Sequence, residues 1–304
     1  VKRVDLRAAN KKAFENLVLA GGLDSLGDVH RAQYFNPDGD GVTFLEKVLR
    51  FGAKYQENLN SSQTSLFSDA TNETYQDLTI PQCESWSNLI RLKKEKEVVG
   101  IYISSHPLDD FKNEMKHFMN ISFNRLDDLV PLINRELSLG GIVNDVQHLE
   151  SRNGKGWARF ILEDYTDQHE FRIFGEEYLK YRHFLVVNQF IRIRLSVRQG
   201  WVNRESGKVG EPRMQFLHFE MLQNTIESNS KKLTLQLDIN QLEENKIEIL
   251  QDNLSSFKGN QSLFFNVYDT NKKVKLILNS KQKKVKITPD LLHLLDQEQW
   301  HFKL

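Results

Sequence analysis

The 304-residue chain carries 41 basic and 41 acidic side chains, so no global field draws it to nucleic acid or a membrane, and any such binding has to come from local clustering. Its single cysteine, Cys83, excludes a disulfide framework and a cysteine-rich metal site. With no apolar run of about 18 residues and no basic-then-apolar leader, a multidomain, soluble, cytoplasmic protein with no membrane partner is expected, and Val1 in place of Met suggests a piece of something larger.

In chain order, Asn10 can cap a helix carrying Ala13, Phe14, Leu17 and Val18 at helical spacing, with Gly21-Gly22 as its left-handed exit. Residues 44–51 repeat the helical pattern, which fades by Asn58. Residues 1–55 therefore read as a helical unit. From 56 to 88 the composition shifts to Asn, Ser, Thr, Gln and Asp, too polar to offset the entropy of ordering, so this stretch is predicted to be a linker. Within it, "SSQTSLFSD" carries Leu66 and Phe67, which each forgo roughly 1.5–3 kcal/mol if left in water. A peptide ligand for a partner is expected there, with collapse onto a neighbouring helix as the alternative. Residues 89–136 return to helix formers and read as a helical connector turning at His106-Pro107.

Between 137 and 224 the period changes from 3.6 to 2, most clearly in Ile191-Arg192-Ile193-Arg194-Leu195-Ser196-Val197-Arg198. The order strand, strand, strand, helix, strand, strand is that of the five-stranded OB-fold barrel. Residues 231–304 then predict a small α+β C-terminal domain: strand, helix, two strands, and a helix opened by Thr288 with Pro289 at its first position. The expected fold class is thus multidomain α+β.

Basic and aromatic residues of the barrel form the candidate nucleic-acid set, since cations track phosphates and rings stack bases. They are Arg152 and Lys155 in the first loop, Trp157, Arg159 and Arg172 on strands, Arg192, Arg194 and Arg198 on the fourth strand, and Trp201 and Arg204 in the last loop. The plain alternative is a solvated polar face, because Glu163, Asp164, Asp167 and Glu170 are interleaved. The pairs Asp109-Asp110, Asp127-Asp128 and Asp164 with Asp167 read as caps and turns rather than catalytic metal ligands, and the histidines show no zinc spacing. No catalytic or metal residue is assigned. Gln261 to Phe265 matches Gln63 to Phe67 loosely, but it continues into an apolar strand and reads as core.

Taken together, "NKKAFENLVLAGGLDSLG", "EKEVVGIYISSHPLDDF" and "GGIVNDVQHLESRNGKGWARFILEDYTDQHEFRIF" resemble the C-terminal third of the bacterial DNA polymerase III alpha subunit family, well to about Gln223 and more weakly beyond. The resemblance implies that residues 1–55 end a tandem helix-hairpin-helix DNA-binding region. It implies that Gln63, Ser65, Leu66 and Phe67 dock the ring-shaped sliding clamp (the beta subunit), with Leu66 and Phe67 in an apolar groove. It further implies that the barrel lies near single-stranded template and that residues 231–304 meet the clamp loader's tau subunit. The family is a DNA-directed DNA polymerase (a nucleotidyltransferase) whose magnesium-holding palm would lie upstream of Val1, so no cofactor is expected in this stretch. The readings from other classes are a free-standing OB-fold single-stranded nucleic-acid-binding protein and the anticodon-binding part of an aminoacyl-tRNA synthetase.

Overall fold

The computed structural model of the protein describes residues 1–60, 78–201 and 209–304. Two compact units divide between Pro107 and Leu108, inside the predicted connector.

In the first unit α1 (Lys11–Leu19) begins where the Asn10 side chain accepts a hydrogen bond from the Ala13 amide at 3.0 Å, as its position predicts. The chain leaves this helix through Gly21 at φ 83°. Helix α2 (Arg31–Phe35) is too short to show a periodic signal, and α3 (Phe44–Asn60) runs beyond the point where its apolar pattern fades. Helix α4 (Asn88–Val99) is capped by Ser87 and ends at Gly100 in left-handed conformation. Val18, Tyr34 and Leu45 form the core of this unit. The later part of the polar 56–88 stretch lies against α2: the Gln33 amide donates to the Pro81 carbonyl at 2.9 Å, and Trp86 stacks on Phe35 with ring centroids 5.6 Å apart. Gln63, Ser65, Leu66 and Phe67 lie outside the described residues.

The second unit holds two sheets. Strands β1 (Glu136–Glu150), β2 (Gly156–Glu163), β3 (Gln168–Phe174), β4 (Phe190–Arg198) and β5 (Arg213–Met221) form an antiparallel sheet in the order β3-β2-β1-β4-β5. The long β1 serves two neighbours: Glu136 to Ile142 pair with β4, and Ile142 to Glu150 pair with β2, the register shifting between Val143 and Asp145. That irregularity bends the strand and lets the sheet curl. The outer strands β3 and β5 meet through side chains, with the Phe171 and Phe216 rings 6.1 Å apart over a core of Phe160 and Phe219. Helix α6 (Gly175–Tyr181) sits between β3 and β4 in sequence, as expected, and its Tyr181 hydroxyl donates to the Leu217 carbonyl at 2.6 Å.

The double role of β1 needs a glycine where it changes partners. A Cβ on Gly141 would stand 2.6 Å from the Glu163 carbonyl oxygen, a backbone atom that β2 holds in place. Gly141→Ala is therefore expected to destabilise the second unit by about 1–3 kcal/mol, read as a lower urea midpoint at unchanged slope. An unchanged midpoint would show that the strand can open locally.

The second sheet has the order β8-β7-β6-β9, built from β6 (Lys232–Asp238), β7 (Lys258–Asp269), β8 (Val274–Val285) and β9 (His301–Lys303). Strands β6 and β7 are parallel and joined through α8 (Glu244–Ser256), β7 and β8 form a hairpin, and α9 (Pro289–Gln297) starts at Thr288 and Pro289 as predicted. Two linking helices pack on each other: α5 (Lys112–Phe118), inside the predicted helical connector, and α7 (Leu222–Asn229), which the sequence pattern does not mark. Helix α5 touches both sheets, through Phe118 on Arg192 and through His117 stacked 5.3 Å from Phe302. Among the described residues, no helix is long and apolar enough to cross a membrane.

Candidate nucleic-acid interface

Alternation along β2 sends Ala158, Phe160 and Leu162 into the core and leaves Trp157, Arg159 and Ile161 outward. The register with β1 and β3 arranges the outward residues in three rows: Leu149, Trp157 and Phe174; Gln147, Arg159 and Arg172; Asp145, Ile161 and Glu170. The first row is an apolar platform. Trp157 and Phe174 stack with centroids 5.3 Å apart and planes at 18°, and Phe174 is 55% exposed. A further base can extend such a stack.

The guanidinium row is largely matched by the carboxylate row. Arg159 contacts Glu170 at 2.9 Å and Asp145 at 3.2 Å, while Arg172 contacts Glu170 at 2.9 Å. The bond from Arg172, then that from Arg159, outweighs desolvation and holds the Glu170 carboxyl below its usual range. These arginines are thus oriented, yet their charge is not free. Phosphate binding here would exchange one anionic partner for another and respond only modestly to salt.

The structure separates the other candidates. Arg152 and Lys155 are exposed in the β1–β2 turn, Arg198 is exposed at the end of β4, and Arg194 is tied to Glu136 at 2.9 Å. Trp201 is 75% exposed with the Arg213 guanidinium 5.7 Å from its ring, and Arg204 lies outside the described residues. Arg192 requires correction. It is buried, donates to the Ser138 hydroxyl at 2.8 Å, pairs with Glu220 at 2.7 Å and lies over Phe118. Helix α5 covers the outer face of β1 and β4 around Arg192, so Arg192 cannot reach a phosphate there.

Leu149 and Phe174 were absent from the expected set although their outward parity was readable from the alternation of β1 and β3. The aspartates serve as turn residues: Asp164 accepts from the amides of Phe123, Thr166 and Asp167, and Asp128 accepts from that of Val130. Among the described residues, no group of three or more His, Cys, Asp or Glu is placed to hold a metal ion.

The geometry defines an α+β protein built on a bulged five-stranded antiparallel sheet and a smaller mixed sheet, and sequence comparison narrows the class to DNA replication. The family model for the DNA polymerase III alpha subunit, C-terminal domain, matches residues 233–304. The DNA polymerase III subunit alpha of Borreliella burgdorferi is 28% identical over 297 residues, covering 92% of this chain and 24% of that protein. That of Pasteurella multocida is 30% identical over 59% of this chain and 15% of its own length, and that of Mycobacterium tuberculosis 29% over 65% and 16%. These matches support a C-terminal fragment of a DNA polymerase III alpha subunit, and the chain spans about a quarter or less of these relatives. Among solved structures, a small single-stranded DNA-binding protein from Streptomyces coelicolor is similar at a TM-score of 0.16 and 12% identity over 29% of this chain and 94% of that one, too low to define a shared fold.

Proposed function

We propose that this chain is the part of a cytoplasmic replicative polymerase that holds single-stranded template on an OB-type barrel and tethers the enzyme to its sliding clamp. In this reading Gln63, Ser65, Leu66 and Phe67 supply the clamp peptide, residues 231–304 contact the clamp loader's tau subunit, and polymerisation belongs to the rest of the protein. The observation that carries the template role is the outward row Leu149, Trp157 and Phe174 beside oriented Arg159 and Arg172. It lies on the strand 2 and 3 face that barrels of this order use for oligonucleotides. The strand order and the helix between β3 and β4 support the barrel assignment.

Base stacking contributes about 1–3 kcal/mol per base, so Trp157→Ala with Phe174→Ala is expected to weaken oligothymidylate binding by roughly 5- to 100-fold. Fluorescence anisotropy of a labelled oligonucleotide reads this directly. Lys155→Ala should add a small, salt-dependent loss. Equal affinity for the double variant and the parent would rule out this face.

A further inference from the structure

Strand β8 combines three properties that the template and clamp roles leave unused. It is an edge strand, with β7 as its one neighbour in the sheet. Its first five residues are apolar although open: of Val274, Lys275, Leu276, Ile277 and Leu278, four are aliphatic, and those four are 58%, 55%, 64% and 45% exposed. It is also strongly basic, because the segment from Thr270 to Pro289 holds Lys272, Lys273, Lys275, Lys281, Lys283, Lys284 and Lys286 and no carboxylate.

The register shows why these aliphatic side chains are there. Leu276 pairs with Val267 and Leu278 with Phe265, which pair in turn with Leu237 and Leu235. Leu235 on that face is fully buried, so the face that forms the core continues onto β8 and loses its cover there. Helix α8 shows a similar gap. Its core-facing Leu250 and Leu254 are buried, while Ile247, one turn earlier on the same stripe, is 45% exposed.

We propose that β8 receives an extended, acidic segment of a partner polypeptide, which pairs with its open backbone edge and lays aliphatic side chains over Leu276 and Leu278. Strand addition to an edge supplies backbone hydrogen bonds, and alternate side chains supply specificity. The seven lysines select acidic sequence. A second copy of this chain is disfavoured because lysine would face lysine across the new pair. Single-stranded nucleic acid is disfavoured because β8 has no aromatic side chain to stack a base, and its aliphatic face would stay wet. Lysines also blunt edges against aggregation, which accounts for Lys281 to Lys284 but not for the aliphatic stretch before them. The proposal deepens the reading that residues 231–304 contact the clamp loader.

The test uses the full 304-residue chain with three probes: a 12-residue peptide alternating Glu with Val or Ile, a version with alternate residues replaced by proline, and the cognate tau subunit. The alternating peptide should bind and slow amide hydrogen exchange at 274–279. Binding should fall at least tenfold with the proline peptide, and likewise with Leu276→Glu/Leu278→Glu, whose exposed sites leave the melting temperature unchanged. Absence of exchange protection, equal binding of the proline peptide, protection by oligothymidylate instead, or dimerisation through this strand would each overturn the proposal. If tau binds the parent and the variant equally, β8 is not its landing strand while the clamp-loader reading survives. If tau fails to bind at all while the acidic peptide binds as described, the clamp-loader reading fails and the strand-addition proposal holds.

Discussion

Alanine at both Leu66 and Phe67 is expected to lower affinity for the sliding clamp by at least roughly 100-fold, since the two anchors together are worth about 3–6 kcal/mol of burial and each 1.4 kcal/mol is a factor of ten. The segment around them, "SSQTSLFSD", has no other large apolar side chain to substitute for either anchor. Ordering the flanks offsets part of that gain, so the isolated peptide is expected to bind weakly even before substitution. Weak binding suffices in a polymerase, because a clamp encircling the same DNA raises the effective concentration of the contact. The effect on the full-length polymerase is therefore amplified: clamp-dependent product length should collapse to that of clamp-free synthesis. Gln63→Ala should give a smaller loss, as a hydrogen bond at a groove's rim contributes less than a buried anchor. Surface plasmon resonance against immobilised clamp measures the affinity, and an unchanged dissociation constant for Leu66→Ala/Phe67→Ala would refute the assignment.

What could be read from the sequence is what local chemistry decides. The Asn10 cap, the Gly21 exit and the Thr288-Pro289 start depend on one or two neighbouring residues, and all three stand where the sequence puts them. The alternation of Ile191, Ile193, Leu195 and Val197 likewise fixed the inward face of β4. The opposite face was not legible, because parity says which residues point away from the core and not what covers them. Ser138 donates to the Phe118 carbonyl at 2.7 Å, and Met115 and Met119 lie where a Cβ on Gly140 would fall, so α5 buries an arginine that alternation alone assigns to solvent. For the same reason the outward row Leu149, Trp157 and Phe174 became visible only with the register, which brings together residues 8 and 17 positions apart. Helix α2 illustrates a different limit. Five residues are too few for a period, and its role depends on a carboxylate 64 positions away.

That carboxylate is Glu95, fully buried, and its removal is the substitution with the largest expected effect on the first unit. Arg31 Nη1 approaches Glu95 at 3.2 Å while Arg31 Nε and Nη2 hold Asp24 at 2.9 and 2.7 Å. Glu95 also accepts from the Ser104 hydroxyl and amide, both at 2.6 Å, and from the Ile103 amide. One carboxylate thereby fixes α2, α4 and the turn after α4. Glu95→Ala leaves Arg31 buried with half of its charge uncompensated and strands two backbone amides, so a loss of about 3–5 kcal/mol is expected in the unfolding of residues 1–107. Glu95→Leu with Arg31→Met should recover part of it, because the desolvation of both charges disappears together. Burial alone would raise the Glu95 carboxyl, but the bonds from Ser104, Ile103 and Arg31 outweigh it and leave the group below its ordinary value of 4.5. A depressed carboxyl stabilises the fold fully above the unfolded value and loses that contribution as pH falls through the folded one. Urea titrations at neutral pH and at progressively lower pH should therefore show the gap between the parent and Glu95→Gln narrowing below the ordinary carboxylate value. A gap independent of pH would mean that the ionised form of Glu95 contributes nothing beyond its shape.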